Sequence, residues 1–282
     1  MVEVILASVP LAIVASTPLL LAVEGELVAQ RSGMINLGLE GMMLVAAMTA
    51  ILGSQAAGNA FIGFLAAIGG AAAVAMMFGL FAIHLRADQI VTGTAINLLA
   101  LGATGFLYRA LPSAMVSQLD AARGSTVVVF VAWIVLPLIL GLVLWRTTFG
   151  LRLRACGENP EAVTAAGHSV ILHRWLALAI EAVAAGLAGG YLSLAYSGFA
   201  ENMTAGRGFI ALSIVIFGRW KLKGALLGTA IFGFAAAVQY ALQASSESVP
   251  AHLLLAVPYL VTLLILCGVA GRVRAPESLG RS

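Results

Sequence analysis

The stretch Val127-Val-Val-Phe-Val-Ala-Trp-Ile-Val-Leu-Pro-Leu-Ile-Leu-Gly-Leu-Val-Leu-Trp145 holds nineteen residues without a charge. As a helix it reaches about 28 Å, close to the roughly 30 Å of a bilayer's hydrocarbon core. Its apolar residues do not alternate with polar ones, as a barrel strand would require. In lipid the backbone must satisfy its own hydrogen bonds, which leaves a helix. Comparable apolar segments lie at 4–23, 37–53, 60–83, 90–108, 175–197, 207–218, 224–244 and 251–271. The expected fold is therefore all-α: a polytopic transmembrane helical bundle of about eight to ten membrane segments, with broken or re-entrant elements. The chain reads as a single membrane domain over 1–282, with no room between segments for a soluble one.

Composition agrees. The chain is 61% hydrophobic and 10% charged, where soluble domains carry about 25% charged residues, and its mean hydropathy is +1.04. The net charge of +3 reflects basic loops and is no signal for nucleic acid. Arg146, Arg152, Arg154 and Arg174 fall in the longest polar loop, about 146–174. Arg219, Lys221 and Lys223 follow the seventh segment, and Arg272, Arg274 and Arg281 close the chain. Lys and Arg mark cytoplasmic loops, so the C-terminus is expected in the cytoplasm and the protein in the inner (plasma) membrane. The N-terminal run begins after Glu3 and exceeds signal-peptide length, so it reads as a retained span.

Polar groups inside apolar runs need a reason. In Arg31-Ser-Gly-Met-Ile-Asn-Leu-Gly-Leu-Glu-Gly41, Asn36 and Glu40 stand four apart, on one face if helical. Gly33, Gly38 and Gly41 point to a kinked or partly unwound start. In Asp88-Gln-Ile-Val-Thr-Gly-Thr-Ala-Ile-Asn97, the residues Gln89, Thr92 and Asn97 fall toward one side. Lining a polar pathway and tying helices together are both open for this second set. Glu181 shares a face with Ala185 and Ala188, which reads as interior. The twelve residues of 207–218 reach only about 18 Å, so Gly198 to Gly218 reads as a re-entrant or half-helix region, with Gly206, Arg207 and Gly208 at its turn. The GxxxG spacings at Gly186–Gly190 and Gly224–Gly228 favour close helix packing.

No catalytic constellation appears. The phosphate loop GxxxxGK[ST] is absent, so ATP is not expected on this chain, and no cofactor is either. There is no HExxH motif. His84, His168, His173 and His252 are scattered, and Cys156 and Cys267 lack metal-ligand spacing. A membrane enzyme fits poorly. The broken elements point instead to a translocation pathway, which a subunit of a larger transporter could carry. The alternative is an autonomous ion-coupled secondary transporter of a small polar solute, in which Glu40 or Glu181 would couple the ion.

Four stretches resemble a known family. They are Glu26-Leu-Val-Ala-Gln-Arg-Ser-Gly-Met-Ile-Asn-Leu-Gly-Leu-Glu-Gly-Met-Met43, Arg86-Ala-Asp-Gln-Ile-Val-Thr-Gly-Thr-Ala-Ile-Asn-Leu-Leu-Ala-Leu-Gly102, Leu153-Arg-Ala-Cys-Gly-Glu-Asn-Pro-Glu-Ala162 and Gly206-Arg-Gly-Phe-Ile-Ala-Leu-Ser-Ile-Val-Ile-Phe-Gly-Arg-Trp220. In this order they resemble ABC importer permeases for simple sugars, nucleosides and branched-chain amino acids, and most of all the shorter permease of nucleoside-type importers. The chain departs from that pattern at Glu181, where a small residue is usual, and at Lys221-Leu-Lys223, where an Asn-Pro-Leu-like turn is usual. The resemblance implies a second, longer permease, an ABC ATPase subunit that binds the ATP, an extracellular or periplasmic solute-binding protein, and a nucleoside or sugar substrate.

The loop at 146–174 is then expected to couple to the ATPase through Gly157, Glu158, Asn159, Pro160 and Glu161. Asn159 suits a helix cap, Pro160 a first turn, and Glu161 the positive end of the helix dipole. A short helix is expected from about Pro160 to Ala166, ending near Gly167.

Overall fold

The computed structural model describes residues 2–112, 122–195, 198–245 and 274–281. The apolar segment at 251–271, with His252, Cys267 and Arg272, lies outside them. Among the described residues ten helices follow in order: α1 (Val2–Arg31), α2 (Leu39–Ala57), α3 (Ala60–Gly79), α4 (Gln89–Ala110), α5, α6 (Thr148–Glu158), α7 (Pro160–Ala165), α8 (Val170–Ala195), α9 (Arg207–Phe217) and α10 (Leu222–Ser245). Helix α5 joins Ala122–Phe130 to Leu136–Arg146 through a π-helical stretch, Val131–Val135, and α3 runs into another at Leu80–His84. No strand element occurs among the described residues. Among the described residues, six helices are long and apolar enough to cross a membrane: Pro10–Arg31, Leu39–Ala57, Ala60–His84, Gln89–Ala110, Thr126–Arg146 and Val170–Ala195. The bundle is all-α and polytopic, and each apolar segment expected within the described residues is a helix.

Three helices form the centre. α1 packs against α8, α9 and α10, and α2 packs against α3, α4 and α8. Small residues permit this closeness. A Cβ on Gly189 would strike the Met43 carbonyl of α2, and one on Gly186 would come within 2.6 Å of Ile68 on α3. Hydrocarbon gives helices no hydrophobic drive to associate, so dispersion across such contacts holds them. The caps are local. Asp88 accepts from the amides of Ile90 and Val91, each at 2.9 Å, and starts α4. Asn59 accepts from Phe61 at 2.8 Å and starts α3.

Three expectations change. α1 does not stop at 23 but continues to Arg31, and Glu24, Glu26 and Gln30 on it are fully buried. Charge ends a hydropathy run, but a helix continues where neighbours cover the polar groups. Asn36 and Glu40 do not share a helix face, because α2 begins only at Leu39. The loop at 146–174 is largely helical, as α6 and α7, and Arg174 belongs to the first turns of α8, where it is buried. Ser169 fixes that earlier start by accepting from the Leu172 amide at 3.2 Å.

Gly189→Val should lower thermal stability in detergent, since overpacking costs about 1–3 kcal/mol. Gly69→Ala is the control: a Cβ there meets open space, and this variant should melt no lower than the parent. Scanning fluorimetry of the purified proteins reads both, and equal melting of the two variants would contradict the packing.

Candidate functional site

Between α1 and α2 the chain leaves helical geometry for residues 32–38. Gly33 makes the turn with φ +93°, a conformation that glycine adopts without steric cost. Side chains from other elements replace the missing helical bonds. The Ile35 amide donates to Gln89 Oε1 at 2.7 Å. Asn97 spans the break: its Nδ2 donates to the Leu37 carbonyl at 2.7 Å, and its Oδ1 accepts from the Gly41 amide at 2.8 Å. Asn36 Oδ1 accepts from the Gly38 amide at 2.9 Å, and its Nδ2 donates to Glu181 Oε1 at 3.1 Å. Thr92 is buried on the same side of α4 as Gln89. Next to Thr92, Gly93 lets α4 cross the break, since a Cβ there would meet the Gly38 nitrogen at 2.6 Å.

Glu40 ties this break to a second one. Its Oε1 accepts from the Gly206 amide at 2.8 Å, and its Oε2 from the Gly208 amide at 2.6 Å. These amides open α9, so a carboxylate sits at a helix N-terminus, where donors and dipole both favour it. Gly208 must be glycine, because a Cβ would approach the Glu40 backbone within 2.6 Å. Arg207 donates to the carbonyls of Met203 and Thr204, at 2.9 and 3.1 Å, and braces the turn. α9 has eleven residues and reaches about 16 Å, roughly half a span. Its far end is anchored to α1. Trp220 Nε1 donates to Gln30 Oε1 at 2.6 Å, and the Trp220 carbonyl accepts from Arg31 Nε at 2.7 Å. Arg219 and Trp220 both have positive φ, 56° and 52°, and these two bonds restrain the strained turn. α9 therefore runs from the start of α2 to the end of α1.

At that same end lies the loop expected to couple. Asn159 Oδ1 accepts from the Ala162 amide at 3.0 Å, Pro160 begins α7, Glu161 sits in its first turn, and Gly167 follows with φ +78°. Gly157 packs on the Arg31 carbonyl without room for a Cβ. Glu158, itself exposed, faces the largely buried Arg31 at 3.9 Å, a long ion pair. Burial pushes the Cys156 thiol above its ordinary value, which makes it unreactive. Described residues of all three basic clusters, Arg174, Arg219 and Arg281 among them, meet at this end. Arg109 and Glu201 pair at 3.0 Å at the opposite end of α4 from Gln89. Among the described residues no three His, Cys, Asp or Glu side chains converge on a metal-sized site.

The family described as the branched-chain amino acid transport system permease component matches residues 9–266. The chain belongs to this permease family. It is 33% identical to the guanosine ABC transporter permease protein NupQ of Bacillus subtilis over 99% of this chain and 97% of that one. It is 34% identical to a putative glucose ABC transporter permease protein of Haloferax volcanii, over 82% of this chain and 76% of that one. It is 32% identical to the nucleoside ABC transporter permease protein NupC of Lactococcus lactis, over 94% and 92%. No solved structure matches it significantly. The chain is a multi-pass membrane permease subunit of an ABC importer, which removes the reading as a stand-alone ion-coupled carrier.

The permease carries polar groups that hydropathy hid. Glu24 and Glu26 are wholly buried, as is Glu181, whose helix face already read as interior. Gln30 Nε2 donates to Glu26 Oε1 at 2.7 Å, and Glu26 lies beside Glu181. Glu181 thus reaches the break through Asn36, and α1 reaches it through Glu26. The sequence signal was spacing: Glu26 and Gln30 are four apart, on one face of a helix, but they fall outside the apolar run as read from hydropathy. Trp220 gave no separate signal beyond its place in the resembling stretch.

Glu40→Ala should destabilise the permease more than Glu40→Gln. The first strips both acceptors from buried amides, at about 1–3 kcal/mol each, and the second keeps one. Thermal unfolding in detergent gives the order, and identical losses would show that the two amides do not depend on Glu40.

Proposed function

We propose that this permease pairs with a second, longer permease to import a nucleoside, with the pathway at the break between α1 and α2. Similarity over 99% of the chain to a guanosine permease carries the substrate class. Asn36, Glu40, Gln89, Thr92 and Asn97 line or gate that path. What supports this is their concentration at two breaks in membrane helices, where irregular backbone persists only beside protein or an aqueous cavity. Their amides and carboxylate now hold the chain's own backbone. The same groups offer donors and acceptors to a polar heterocycle or ribose when the breaks rearrange. Gly206, Arg207 and Gly208 belong to the re-entrant element that meets Glu40.

In this reading an ABC ATPase binds ATP and docks on Gly157, Glu158, Asn159, Pro160 and Glu161, and a solute-binding protein delivers substrate on the opposite side. The protein lies in the inner membrane with its C-terminus cytoplasmic. The concentration of Lys and Arg at the end that carries α7 supports that orientation. The similarity to a glucose permease keeps sugars as the second substrate class.

Copurification of the permease with its neighbouring ATPase and permease, followed by ATPase assays in liposomes, tests this reading. Guanosine presented with the binding protein should stimulate hydrolysis several-fold, and glucose should not. Stimulation by glucose alone would move the substrate to the sugar class, and no stimulation by either would remove the nucleoside reading. Asn36→Ala should lower guanosine uptake at least fivefold while the complex assembles in normal yield. Parallel loss of uptake and yield would assign Asn36 to helix packing instead.

A further inference from the structure

The chain's last described segment, 274–281, returns to the bundle as a strap, and every bond it makes across to another element is to backbone or from a buried cation. The Ser278 amide donates to the Gly157 carbonyl at 2.9 Å. Ser278 Oγ lies 2.7 Å from the Gly157 carbonyl and 2.9 Å from the Cys156 carbonyl, and its single proton serves the two. These carbonyls close α6, whose last turn lacks helical donors. Two residues on, the Gly280 amide donates to the Gly33 carbonyl at 3.0 Å. One further, the Arg281 carbonyl accepts from Arg174 Nη2 at 2.9 Å. Ser278 is buried to 4% exposure, and a Cβ on Gly33 would come within 2.8 Å of its hydroxyl.

Resting on the permease reading, we infer that this strap is a transmission element: Ser278 is a positioning residue that locks the ATPase-facing loop to the turn at Gly33 and so to the break at Asn36. Three elements meet in it: the end of α6, the turn after α1, and the first turns of α8. Gly157 also rests directly on the Arg31 carbonyl, so the loop and the turn form one rigid contact with the strap across its back. Gly33 lies three residues from Asn36, which bonds Glu181 within the membrane. A shift of α7 is thereby carried to Gly33 without passing through the long helices. Beside the strap lies a polar cavity of about 390 Å³, with Glu158, Glu161, Arg174, Glu277 and Arg281 among its lining.

The test uses the whole transporter in liposomes, with guanosine as the probe. Ser278→Ala and a truncation removing 277–282 should copurify with the ATPase and keep basal hydrolysis within twofold, while guanosine uptake per ATP falls at least fivefold. Ser278→Thr keeps the hydroxyl and should restore most of that ratio. Unchanged uptake per ATP in both variants overturns the inference. So does loss of ATPase assembly in both, which makes the strap a cap for α6 and no more. Failure of the wild-type complex to take up any substrate strikes at the importer reading instead, and is distinguished by that control alone.

Discussion

A backbone amide in the hydrocarbon region must have an acceptor, and in this permease the Glu40 carboxylate supplies one to two amides at once. The structure around it follows. Once Gly206 and Gly208 have that acceptor, α9 can begin inside the bundle rather than at its surface. Once α9 begins there, its eleven residues end beside Arg31, and Trp220 can close onto Gln30. A helix long enough to begin at the membrane surface could have its first amides served by water, and an apolar residue at 40 would leave the start of α9 unsatisfied. The side chain is accommodated by two amide donors at the positive end of a helix, and among the described residues it forms no ion pair.

The same rule explains the break at 32–38. Its donors and acceptors are served by Gln89, Asn97 and Asn36, each an amide that can give and receive. Such bonds hold a conformation while remaining exchangeable. Helical bonds at the same depth are locked into a cooperative ladder. The permease therefore places its replaceable hydrogen bonds where α1, α2, α4, α8 and α9 approach one another, and keeps helical ladders elsewhere.

Much of this was legible in the residues. Apolar runs located the helices, and glycines at 33, 38 and 41 announced the unwound start of α2. Asn159, Pro160 and Gly167 delimited α7 almost to the residue, because caps act within one turn. Other features were hidden by long range. Nothing local says that Glu26 meets Glu181, that Trp220 meets Gln30, or that Ser278 meets Gly157, since each pairing depends on tertiary packing. Hydropathy also misplaced the end of α1, because it scores Glu24 and Glu26 as if they faced solvent. The face shared by Asn36 and Glu40 was an extrapolation of helix through a segment that is not helical.

The fit of α8 against α2 and α3 has an electrical consequence. Gly189 brings α8 onto the Met43 carbonyl and Gly186 brings it onto Ile68, so the helices leave little room for water at these two contacts. A membrane that holds a potential charges about 2.3 kcal/mol for each elementary charge crossing 100 mV, and any wet seam would let protons and ions discharge it. An importer opens a route for a solute many times larger than a proton. Close packing at Gly186 and Gly189 therefore favours a wall that insulates on this side of the bundle.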